Sequence, residues 1–86
     1  MSCIFVLQRG WVVVGQVESE QENLITLTHT SCIRRWGTTK GLGELAEKGP
    51  FKNTVLDKQP KTRFHPLTVV QSIECSEKWN DYFSSY

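Results

Sequence analysis

Eighty-six residues carrying ten Lys/Arg against nine Asp/Glu make a short, nearly neutral chain. A chain of this size buries only about 60–65% of its unfolded surface, which implies one domain with a thin core. Three cysteines, an odd number, argue against a disulfide framework. No basic leader precedes the apolar amino end, and Gln8, Arg9 and Gly10 interrupt it, so a signal peptide, a membrane span and an oxidising compartment are all disfavoured.

CIFVLQ, residues 3–8, is rich in β-branched and aromatic residues and reads as a strand. Arg9-Gly10 suits a tight turn, and WVVVGQV, 11–17, reads as the antiparallel partner, with Gly15 marking a bulge or a close backbone approach. ESEQEN, 18–23, is a polar connection. LITLT, 24–28, alternates and predicts a half-buried strand with Ile25 and Leu27 on one face. HTS reads as a turn into a strand at 32–36, whose alternation sets Cys32, Arg34 and Trp36 against Ile33 and Arg35.

A helix is expected at 41–48. Leu42, Leu45 and Ala46 form one apolar stripe, Thr38 or Thr39 suits the N-cap, and Gly49-Pro50 ends the helix. NTVL, 53–56, allows a further strand, and DKQPKTR, 57–63, reads as the clearest loop. PLTVVQSIEC, 66–75, predicts a strand with Leu67, Val69 and Ile73 on one face. Ser76 then caps a terminal helix that brings Trp79 and Phe83 to one side. The expected fold is mainly β (α+β): a small curved antiparallel sheet or open barrel of five to six strands. One short helix is inserted and another closes the chain. Residues 1–75 would form the β-rich domain and 76–86 a C-terminal helical tail. Tyr82, Phe83 and Tyr86 in that tail suggest an association surface.

Catalytic constellations are thin. His29 and Cys32 are close, but no second close pair of ligands supports a structural zinc site, and Glu18, Glu20 and Glu22 lie in a polar connection. The chain reads as non-enzymatic, with no cofactor and no metal. Charge is nevertheless uneven. Residues 31–63 carry eight Lys/Arg against three acids, between two segments of net negative charge. Within that basic third, GTTKGLG is superficially like a phosphate-binding P-loop but lacks its spacing. What it offers is weaker: Arg34, Arg35 and Lys40 beside the hydroxyls of Thr38 and Thr39, with Trp36 able to stack on a base. The same residues also read as a capped helix start with Trp36 in the core, and the sequence leaves both readings open. Net charge near zero disfavours wide-footprint binding to duplex DNA.

The order G-W-V-V-V-G, N-L-I-T-L-T, C-I-R-R-W-G-T, G-L-G-E-L-A-E-K-G-P and L-T-V-V-Q-S-I-E-C resembles a family of short proteins carried mainly by tailed bacteriophages. The resemblance spans residues 9–75 and is most specific at Trp36-Gly37-Thr38 and at Leu42 to Gly49. It brings no established activity and no catalytic residues. It implies an accessory protein made in the host bacterial cytoplasm, and with it a host-defence inhibitor. One route is a homo-oligomer that sequesters an anionic nucleotide signal. The alternatives are a protein–protein inhibitor of a host enzyme, or a nucleic-acid-associated phage factor.

Overall fold

The computed structural model describes residues 1–84, so the expectation for Tyr86 lies outside the described residues. Six strands form one antiparallel sheet: β1 (Ser2–Leu7), β2 (Val12–Glu20), β3 (Ile25–Arg35), β4 (Val55–Gln59), β5 (Thr62–Phe64) and β6 (Val69–Glu74). Their order is β4-β3-β2-β1-β6, with β5 also pairing with β3. Helix α1 (Leu42–Lys48) is inserted between β3 and β4, and α2 (Asn80–Ser84) follows a short 3₁₀ turn at Glu77–Trp79.

Turn chemistry explains the first hairpin. Arg9 and Gly10 both adopt positive φ, at 68° and 82°, and the Leu7 N–H donates to the Trp11 carbonyl at 2.7 Å. The β1 and β2 strands then pair from Val6–Val12 to Ser2–Gln16.

Several expectations change in the middle of the chain. HTS is not a turn: residues 25–35 are one strand, and His29, at φ 45°, is an extra residue where Thr28 pairs with Gln16 and Thr30 with Gly15. A bulge therefore bends a continuous strand where the sequence suggests two. Gly15 does mark a close approach. A Cβ there would stand 3.1 Å from a Leu27 methyl group, beside the same register shift. Strand β2 runs on through Glu20, so much of the polar 18–23 connection is strand.

The segment 57–63 is strand as well. β4 pairs with the C-terminal half of β3 and β5 with its N-terminal half, so the two share one long partner and only the Pro60-Lys61 step separates them. Proline suits such a break because it has no N–H to give the ladder.

The sheet is buried on both faces. One cluster contains Ile4, Val12, Val14, Ile33, Leu45, Ala46, Trp79 and Phe83, and brings both helices against the sheet. The other contains Cys3, Phe5, Val13, Ile25 and Leu27, with Phe64 and Val69 packed on it. The rings of Phe5 and Phe64 meet edge-to-face at 5.2 Å although β2 and β3 lie between their strands. The sheet is thus strongly curled, but it is an open sheet and does not close into a barrel.

The C-terminal segment is part of this core. Trp79 and Phe83 are buried, and Tyr82 is half-buried with its hydroxyl 2.7 Å from Ser31 Oγ. An association surface built on Tyr82 and Phe83 is therefore not what these rings form; they cover the sheet. The segment also satisfies the carbonyls that end α1, which have no partner within the helix. Gly49 N–H and Trp79 Nε1 both donate to the Leu45 carbonyl, Ser76 N–H to that of Ala46, and Ser76 Oγ to that of Glu47. Gly49, at φ 83°, supplies the expected positive-φ ending.

Candidate functional site

The basic stretch lies where β3 ends against β4. Ile33 pairs with Leu56 and Arg35 with Val55, which leaves Arg34 as the extra residue of a bulge. Strict alternation would put Arg34 and Arg35 on opposite faces. A bulge re-aims side chains, and both arginines instead line one shallow open cleft of about 280 Å³ together with Val55. Val55 is the participant the sequence did not reveal. Its position depends on which residue β4 sets against the bulge, and no local pattern encodes that.

Gly37 fixes the exit from this cleft. It adopts φ 72°, and a Cβ there would lie 2.5 Å from main-chain atoms of Asn53 and Thr54. The chain after Trp36 therefore crosses directly on the 51–54 turn. Thr54 Oγ1 donates to the Trp36 carbonyl at 2.7 Å and accepts from Phe51 N–H at 2.9 Å. Trp36 is 43% exposed, so it is not a core residue, and its ring lies toward Gly41 at the start of α1. Trp11, at 60%, is also outside the core.

The electrostatics of the stretch divide in two. Arg34 meets Asp57 at 3.4 Å, with both side chains largely exposed. Such a pair contributes about 0–1 kcal/mol, so Arg34 can exchange that carboxylate for another anion at little cost. The loop amides are differently placed. The main-chain N–H groups of Thr39 and Lys40 both donate to Glu44 Oε1 at 3.2 Å, and Lys48 lies 4.0 Å from the other oxygen. The chain's own carboxylate occupies the donors that a phosphate would use. Thr38 and Thr39 do not cap α1. The N-cap is Gly41, without a side-chain hydrogen bond, and Thr38 Oγ1 donates to the Gly41 carbonyl at 2.9 Å. Arg34 and Arg35 are thus brought together at the β3–β4 end, Trp36 lies toward the start of α1, and Thr38, Thr39 and Lys40 follow in a loop closed on Glu44.

The cysteines and histidines form no comparable group. All three thiols are free. Burial raises each of them, most at Cys75, where burial, then Cys3 and Glu74, pushes the thiol up to about 12. Such thiols stay protonated at neutral pH and are poor nucleophiles. His29 stands in the exposed bulge near Thr28 Oγ1, and His65 accepts from Leu67 N–H in the turn before β6. Among the described residues, no group of three or more His, Cys, Asp or Glu side chains is placed to hold a metal ion. No helix there is long and apolar enough to cross a membrane.

No protein-family model matches the chain, and no curated protein matches it.

Proposed function

We propose that the protein is a non-enzymatic, homo-oligomeric binder that sequesters an anionic nucleotide, and that as a phage accessory protein in the host cytoplasm it thereby inhibits a host defence. The observation that carries this reading is the cleft lined by Arg34, Arg35 and Val55, with the exposed Trp36 as the next residue along the chain. Guanidinium groups bind phosphate bidentately, and an indole face stacks on any base. A cleft of about 280 Å³ is at the small end for a whole ligand and suits a phosphate with its sugar, leaving the base outside to meet Trp36. Lys40, Thr38 and Thr39 would close over the phosphate from the loop, with Glu44 giving way.

The test has two arms. Heat-denatured protein from infected or expressing cells should release an ultraviolet-absorbing metabolite, and stripped protein should gain thermal stability with a nucleotide signal. Replacing Arg35 and Lys40 together with alanine should weaken retention at least about a hundredfold, because charge-assisted bonds to phosphate contribute about 1.5–3 kcal/mol each. The melting temperature of the empty variant should hardly change, since exposed charges contribute little to stability. Unchanged retention in that variant would move the site elsewhere.

A second reading, an inhibitor that docks on a host enzyme, draws on a different observation. Trp11, Leu67 and Val70 are exposed apolar side chains remote in sequence from the arginines. Host-protein capture that persists in the Arg35/Lys40 variant would favour it.

A further inference from the structure

Three neighbouring strands each send one residue into the helix-covered cluster: Val12 from β2, Ile33 from β3 and Leu56 from β4. Side chains alternate along a strand, so the residues flanking Val12 and Leu56 turn to the opposite face. On β4 those are Val55 and Asp57. Arg35 pairs with Val55, and Arg34 meets Asp57 at 3.4 Å, so both arginines stand on that opposite face. On β2 the flanking residues are Trp11 and Val13. Val13 is buried in the second cluster. Trp11 continues the same row beyond it, largely exposed, with extended backbone at φ −70° and ψ 133°.

The register brings the indole and the arginines to the same place. Val13 pairs with Cys32 across the β2–β3 ladder, and Cys32 pairs with Asp57 across β3–β4. Counting outward from the Val13–Cys32 pair sets Trp11 against Arg34. Adjacent strands lie about 4.8 Å apart, so Trp11 and the arginines arise one strand spacing from each other. Trp36 is placed differently, one step past Arg35 and with its ring toward Gly41 at the start of α1. Of the two exposed indoles near the end of β3, Trp11 is the one that shares the arginines' face.

We infer that Trp11 is the base-stacking residue of the arginine site. The ligand then lies across β2, β3 and β4, with its ring on Trp11 and its phosphate on Arg34 and Arg35. The inference rests on the proposed nucleotide reading and deepens it. An indole stacks on any base, and one sugar bridges a strand spacing, so the geometry selects a base and a phosphate joined through a single sugar.

Titration calorimetry on the full chain, stripped of bound metabolite, tests it with adenosine monophosphate and with ribose phosphate, which lacks the base. The wild type should bind the nucleotide about tenfold or more tightly than the sugar phosphate, as stacking of one base provides. Trp11→Ala should remove that preference by weakening the nucleotide alone, and Trp11→Phe should keep part of it. A second measurement leaves Trp11 in place. Labelling with fluorinated tryptophan gives one fluorine resonance each for Trp11, Trp36 and Trp79. The nucleotide should shift the Trp11 resonance, and the sugar phosphate should not. A full base preference in Trp11→Ala, or a shift confined to Trp36, overturns the inference and leaves the proposed function standing with its base on Trp36. A wild type that binds neither probe at millimolar concentration, or binds both equally, also overturns it. The released-metabolite test then decides whether the nucleotide reading falls with it.

Discussion

At the scale of single residues, Gly37 decides more about the candidate site than any of the charged side chains around it. Its φ of 72° disfavours any side chain, and a Cβ would collide with the backbone of residues 53–54, which cannot swing aside as a side-chain tip can. Gly37→Ala should therefore separate the Trp36 step from the 51–54 turn and lower stability by about 2 kcal/mol or more, combining strain with displaced backbone. Thermal melts and Trp fluorescence check this; a variant with normal stability and an unshifted spectrum would mean the crossing is not fixed. The site was only partly legible in the sequence. Clustered arginines and an adjacent tryptophan can be read from their neighbours, and the two arginines do line one cleft. That Arg34 and Arg35 share a cleft depends on a bulge, whereas Glu44 takes the loop amides from the first turn of α1, over four to five residues. The bulge is not written in a local pattern; the glutamate in the first turn is, but the threonines before it, which suggest a side-chain cap, mask it.

Among elements, α1 gives the sharpest comparison. Its stripe was legible because Leu42, Leu45 and Ala46 recur at helical spacing, and Gly49-Pro50 is a stop signal with a plain stereochemical cause. Leu45 is fully buried among both helices and the sheet, and its carbonyl also anchors Trp79. Leu45→Asp should unfold or aggregate the protein, because an unpaired buried carboxylate costs several kcal/mol, comparable with the stability of a small domain. A soluble variant with a native circular dichroism spectrum would show that α1 is not needed for the fold. Gly43 offers the opposite case on the same helix. It is exposed, and a Cβ there would meet nothing within 4 Å. Gly43→Ala should stabilise the protein by about 0.5–1 kcal/mol through helix propensity, read as a raised denaturation midpoint with an unchanged slope. The strands were harder to read. Alternation predicts a face only while register holds, and Gly15, Glu18, His29, Arg34 and Val70 all lie at shifts. The cost shows in β6. Val69 packs with one cluster and Ile73 with the other, although even spacing had put them together, and Leu67 with them. Leu67 in fact belongs to a 3₁₀ turn before the strand and is exposed.

At the scale of the whole molecule, burial of both sheet faces makes the thiols a sensor of the folded state. Cys3 lies in one cluster, Cys75 packs against the other, and Cys32 pairs with Val13 and Asp57 within the sheet. Burial is the leading cause of the raised value at each, with acidic neighbours adding to it. The native state therefore holds these thiols neutral above the pH at which an unfolded thiol ionises. The sign follows from linkage. A group whose folded value is raised stabilises the native state fully below the unfolded value, and that contribution disappears as pH rises toward the folded one. For Cys75 the window runs from the ordinary value of 9.0 to about 12. Stability should thus fall with rising pH across this alkaline range, as the unfolded chain gains thiolate that the native core refuses. Lysine and tyrosine also titrate there, so the informative quantity is the difference between wild type and Cys75→Ala. The variant should be weaker near neutrality from lost packing, but its alkaline decline should be shallower, and the gap between the two should close as pH rises. Urea unfolding at a series of pH values measures that gap. Curves that stay parallel from neutral to alkaline pH would mean that Cys75 ionises as freely in the folded protein as in the unfolded one, and would place it at the surface and not against the helix-covered face.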